Sequence, residues 1–160
     1  MLRWEHIQQE GKSIMTNVTK NIVVACDGSE QSSHAAKMAA DLAKATGHPL
    51  KLLTVFPGSK AERLIISGVW PSDLEEEQKN YGRKVFDAAK EAVSGIADPS
   101  EEILLKGDPA HEIIEYLQEH PGSHMVLGRR GHSTLRSLTL GSISERVVRH
   151  ATGPVTVVSE

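Results

Sequence analysis

Five short apolar runs alternate with four longer stretches of helical periodicity, and this alternation limits the folds open to the chain more than any other feature. Residues 22–26 (IVVAC) contain no polar side chain, and Asp27-Gly28-Ser29 ends the run, as expected of a strand buried on both faces. Residues 50–56 (LKLLTVF), 102–106 (EILLK), 125–127 (MVL) and 155–158 (VTVV) read as four more strands. The order is βαβαβαβαβ. It predicts an α/β domain with an open parallel sheet of five strands and helices on both faces.

The helical stretches carry their own punctuation. Ala35, Met38, Ala39, Leu42 and Ala43 recur on one face of the first, which Gly47 and Pro49 stop. Residues 57–71 have loop character, and a connection that long in a compact domain suits a lid or a binding loop. Trp70 in it is then either a core plug or a lid residue. Ser72 with Glu75 forms a capping box ahead of a long helix whose apolar positions are Leu74, Tyr81, Val85, Ala88, Ala92 and Ile96. Asp108 and Pro109 supply an N-cap and a first helical residue, with Ala110, Ile113, Ile114 and Leu117 inward. Ser142 and Glu145 form a further capping box, with Ile143, Val147, Val148 and Ala151 inward.

Composition removes several function classes. A chain of 160 residues has room for one domain, read as residues 17–160 behind an N-terminal extension of 1–16. Net charge is −3, without the basic excess of a nucleic-acid binder. Cys26 is the sole cysteine, which excludes an internal disulfide and a cysteine-based zinc site. No apolar run approaches the ~18 residues of a membrane span, and residues 1–15 lack the apolar core of a secretory leader. A cytoplasmic protein is expected. Gly11-Lys12-Ser13 lacks the upstream glycine of a P-loop, and no dinucleotide fingerprint, nucleophile elbow or H-E-x-x-H pair is present.

Open parallel sheets bind ligands beyond the carboxyl ends of their strands, which directs attention to Asp27, to residues 55–58 and to Gly128 onward. Gly128-Arg129-Arg130-Gly131 is followed by nine residues and then Gly141-Ser142. Glycines let a backbone approach phosphate oxygens closely, and a helix start at Gly141-Ser142 favours an anion. Two turn glycines and a plain capping box would account for the same residues. Arg129 and Arg130 are either a phosphate clamp or solvated surface arginines. His132 is better read as a surface residue than as a phosphate ligand, and Cys26 as a small buried residue than as a nucleophile.

The spacing G-x2-G-x9-G-[S/T] resembles that of the ATP-binding branch of the universal stress protein family. The resemblance extends over residues 21–159 and includes IVVACDGSEQSSHAA, the turn KGDPA at 106–110 and the ending GSISERVVRHATGPVTVV. It implies a Rossmann-like sheet of order 3-2-1-4-5. It also implies that Ala25 and Val55 hold adenine through their backbone, and that Asp27 contacts ribose and the metal–phosphate region, touching the metal through water. Gly128, Gly131, Gly141 and Ser142 then cradle phosphate, with Ile143 and Ser144 beside them, whereas Arg129 and Arg130 depart from the small or polar residues often found between the family's first two glycines. The implied ligand is ATP with magnesium or manganese, in a homodimer paired through residues 155–158. The implied role is a nucleotide-dependent stress sensor or regulator acting on a protein partner the sequence does not identify. No base is visibly placed to activate water, so any ATP hydrolysis or autophosphorylation is expected to be slow. The alternatives are a nucleotide-hydrolysing enzyme on the same fold, or a scaffold that binds cyclic AMP or no nucleotide.

Overall fold

The computed structural model describes residues 18–131 and 139–159; the expected N-terminal extension and His132 lie outside them. The elements are β1 (Asn21–Ala25), α1 (Glu30–Thr46), β2 (Leu50–Pro57), α2 (Gly58–Ile66), α3 (Pro71–Val93), β3 (Pro99–Gly107), α4 (Pro109–Glu119), β4 (Ser123–Gly128), α5 (Ser142–His150) and β5 (Val155–Val158). The strands form one parallel sheet of order β3-β2-β1-β4-β5, as expected.

β1 is central because both its faces are apolar. Ile22, Val24 and Cys26 pack with Leu50, Leu52 and Val126 under α1 and α3. Val23, Leu53, Val55, Met125 and Leu127 face the other way, under α4 and α5. Alternate residues of each central strand thus feed two separate cores. α1 is lined with alanine on its buried side, at Ala35, Ala36, Ala39, Ala40 and Ala43, which lets it lie close to the sheet.

Several boundaries differ from the sequence reading. α2 occupies most of the expected 57–71 loop. It buries no residue completely, and its helically spaced apolar positions Ala61, Leu64 and Ile65 span little more than one turn, too short a stretch for periodicity to reveal a helix. α3 begins at Pro71 with Trp70 as N-cap and no side-chain cap, so Ser72 lies inside the first turn and forms no capping box. Its buried residues are Gln78, Gly82, Val85, Phe86, Ala89 and Val93, a face rotated from the Ala88–Ala92 row. Met38, Ile143 and Val148 are exposed rather than inward, and Tyr116 joins the buried side of α4. β3 runs from Pro99 to Gly107 and β4 from Ser123 to Gly128, both longer than their apolar runs.

The starts of α1 and α5 are capped differently, and Ser142 is not the cap expected of it. Ser29 caps α1, its Oγ accepting from the Ser32 N–H at 3.2 Å. At α5 the cap position is Gly141, and Ser142 is the first helical residue, without a capping bond. Ser29→Ala should therefore cost about 1 kcal/mol of stability. Ser142→Ala should change it by no more than a few tenths. Urea unfolding of the two variants checks this ranking, and a larger loss at Ser142 would contradict the caps assigned above.

Candidate functional site

The strand order reverses between β1 and β4, where one connection leaves towards β2 and the other towards β5. A crevice opens at such a point, because neighbouring connections depart to opposite sides of the sheet. Here it is a cavity of about 310 Å³ at the carboxyl ends of β1, β2 and β4.

The first wall comes from the turn after β1. Gly28 has φ of 81°, a left-handed conformation that glycine adopts without strain. That turn brings Ser29 back beneath Asp27. Asp27 Oδ1 accepts from the Ser29 N–H at 2.9 Å and from the Ser29 hydroxyl at 2.5 Å. Asp27 is thus not the cap of α1; its carboxylate orients the serine that is.

The opposite wall is the neck of the glycine-rich segment. Gly128 O accepts from the buried Ser144 hydroxyl at 2.8 Å. Arg129 N–H donates to Val158 O at 2.8 Å, and Arg129 O accepts from Gly141 N–H at 2.9 Å. These bonds bring the end of β4, the start of α5 and the end of β5 to one point. None of Gly128, Gly131 and Gly141 has positive φ. What they lack is space. A Cβ on Gly128 would lie 3.0 Å from Arg130 O, and one on Gly141 would lie 3.2 Å from Arg129 O. A Cβ on Gly131 would run into the Asp27 carboxylate, so the two strand ends meet across the crevice.

The cavity brings together Ala25, Asp27, Val55, Gly128, Arg130, Gly131, Gly141, Ser142, Ile143 and Ser144 from the sequence-derived set. The Arg129 side chain is not part of the lining, and its backbone serves the neck instead. Arg130 lines the cavity while its Nε and Nη2 donate to Thr139 O at 3.2 and 3.0 Å, closing the base of the segment between them. The Ser144 hydroxyl is likewise spent on Gly128.

Two sides of the lining were not anticipated. Leu53, Pro109, Ile113 and Leu127 join Val55 and Ile143 in an apolar slot beneath α4 and α5. Across the sheet edge, Cys26, Ser32, Thr54 and Tyr81 form a more polar wall beneath α1 and α3. Burial, then the Asp27 charge, pushes the Cys26 thiol up to about 12, which keeps it protonated and poorly nucleophilic at neutral pH. Burial is the main cause raising the Tyr81 phenol, with Asp27 adding to it and the neighbouring Thr54 hydroxyl opposing it. Tyr81 read in the sequence only as a helix-face residue, and nothing local marked it as a wall. Trp70 neither plugs the core nor covers the cavity; it is 73% exposed.

His111, Glu112 and Glu115 bring three ligand atoms within 4.8 Å of one another on α4. The sequence reading recognised no such grouping. Acidic surface groups of this kind are common without an ion.

Comparison with known proteins agrees with this architecture. The universal stress protein family model matches residues 19–159. Universal stress protein YxiE of Bacillus subtilis is 33% identical over 143 residues, 86% of this chain and 97% of that protein. A universal stress protein of Methanocaldococcus jannaschii is 34% identical over 147 residues, covering 90% and 84% of the two chains. A crystal structure described as a universal stress protein in complex with cAMP superposes with a TM-score of 0.60 at 26% identity, covering 88% of this chain and 97% of that one. With the sheet order and the family match both in place, the chain belongs to the universal stress protein family.

Proposed function

We propose that the protein is a cytoplasmic, ATP-binding regulator whose output is a nucleotide-dependent change in what it binds, with hydrolysis or autophosphorylation slow at most. The observation that carries this reading is the crevice itself, an apolar slot running into the three space-limited glycines and the start of α5. A flat base fits the slot between Val55, Ile113 and Ile143, and phosphate oxygens fit the backbone N–H groups at the helix start. The cAMP complex of a relative at 26% identity supports an adenine nucleotide of some kind. ATP is favoured over the cyclic nucleotide because the spacing of Gly128, Gly131 and Gly141-Ser142 resembles that of the family's ATP-binding branch.

Asp27 is the one carboxylate lining the cavity among the described residues. A single carboxylate with hydroxyls nearby fits magnesium or manganese held mainly by phosphates and water. Such an ion would offset phosphate charge, while Asp27 orients its water shell.

The assembly we propose is a homodimer through β5. The sheet has two edges. β3 presents Glu101, Glu102 and Lys106, charges that discourage edge pairing. β5 presents Val155-Thr156-Val157-Val158 without a charge, and a second copy across a two-fold axis would complete it. Val157→Lys should shift the protein to monomer in light scattering at tens of micromolar, the order at which weak dimers form. A parent protein already monomeric there would rule the pairing out.

Titration calorimetry with ATP tests the site. Gly131→Val should cut affinity at least about tenfold, equivalent to about 1.4 kcal/mol. Because the new side chain meets Asp27, the double variant Gly131→Val/Asp27→Ala should lose less than the sum of the singles. Asp27→Ala alone should weaken binding more with magnesium present than without it. A folded Gly131→Val protein that binds ATP as tightly as the parent would place the cradle elsewhere.

A further inference from the structure

The corner between α2 and α3 displays large apolar side chains on a rigid support. Ile66 is 85% exposed, Trp70 73% and Ile65 55%. They are not carried on a loose loop. α2 ends with Gly68 at φ of 92°; Val69 N–H donates to Leu64 O and Gly68 N–H to Ile65 O, both at 3.0 Å. That pair of bonds is a Schellman stop, which places Leu64 and Val69 together and leaves Ile65 and Ile66 outside. Trp70 then caps α3 through its carbonyl, which accepts from Leu74 N–H at 2.9 Å. The chain is thus ordered on both sides of the exposed residues, and neither the cores nor the cavity uses them.

The start of α3 beside them is acidic, while α2 carries Arg63 in its last turn. Asp73 and Glu77, four residues apart just beyond Trp70, share a face of α3, and Glu76 is adjacent. All three are exposed. Among the described residues none of them has an ion-pair partner, whereas Glu75 is taken by Lys79 at 2.8 Å. An ordered tryptophan and isoleucine flanked by carboxylates without ion pairs among the described residues fit an apolar anchor with basic residues next to it. The acidic row disfavours an anionic lipid surface.

We infer that the α2–α3 corner is a docking site for a basic amphipathic helix of a partner protein, seated on Ile65, Ile66 and Trp70 and paired with Asp73 and Glu77. This surface is independent of the nucleotide reading, and either can fail without the other.

The test uses the full chain and a fluorescein-labelled Leu/Lys amphipathic peptide of about 16 residues, long enough to form a helix, read by anisotropy. Binding is expected in the range of about 10 µM. Ile66→Ser/Trp70→Ser should weaken it at least about tenfold, with melting unchanged because both side chains are exposed. Asp73→Asn/Glu77→Gln should weaken it and flatten its salt dependence. A Leu/Glu peptide of the same pattern should not bind. Equal binding by the parent and the Ile66→Ser/Trp70→Ser variant would overturn the inference. So would co-sedimentation with phosphatidylserine vesicles that this variant abolishes, which would make the corner a lipid contact. Self-association lost in this variant but kept in Val157→Lys would also overturn it, assigning the corner to a second copy.

Discussion

The neck of the glycine-rich segment is the constraint on which the site depends. Ser144 Oγ bonds Gly128 O, and Arg129 joins Val158 on one side and Gly141 on the other. Two of these bonds tie the end of β4 to the start of α5 and the third ties it to the end of β5, so together they fix where α5 begins and where β5 stops. Satisfying those backbone groups internally also saves the cost of burying them unpaired. The sheet reversal opens the crevice, but this hydrogen-bonded junction gives it a second wall.

That junction leaves recognition mainly to shape and backbone. The Arg130 guanidinium, expected as a candidate phosphate clamp, contributes two of its donors to the Thr139 carbonyl. The Ser144 hydroxyl is spent on Gly128, and the Asp27 carboxylate holds Ser29. The side chains nearest the crevice thus hold the wall in place. The slot beneath α4 and α5 is apolar, while the opposite wall carries a protonated thiol and the hydroxyls of Ser32, Thr54 and Tyr81. Such a cavity suits a ligand with one flat apolar part and one oxygen-rich part.

Much of this was legible in the sequence, for identifiable reasons. Strands buried on both faces read as apolar runs, and Asp108-Pro109 marked the start of α4 because cap and first-turn chemistry are local. The spacing of Gly128, Gly131 and Gly141 marked residues that line the crevice. Less legible was whatever depends on two elements meeting. Tyr81 reaches the cavity because α3 crosses the end of β2, a fact absent from its own neighbourhood in the chain. The serine before Ile143 looked like a cap because serine with glutamate three residues on is the usual signature. The backbone instead places Gly141 there, where a Cβ would crowd the Arg129 carbonyl. α2 escaped notice because it is only nine residues long, and Pro57-Gly58 and Gly68 around it read as loop punctuation.

The glycines show why a one-letter pattern underdetermines its physical cause. Gly28 and Gly68 are glycine for conformation: both have positive φ, and a Cβ would meet at most a distant contact. Gly128, Gly131 and Gly141 are the reverse, with ordinary φ and no room for a Cβ. The first pair sets turns, so any residue tolerating that backbone serves, at a cost in strain. The second set keeps two strand ends and a helix start within contact of one another, so even alanine demands that something move. The Gly131–Asp27 contact ties the sets together, since the turn that Gly28 permits delivers the carboxylate that Gly131 must admit. A single residue type therefore builds both walls of the crevice, by turning the chain on one side and by vacating space on the other.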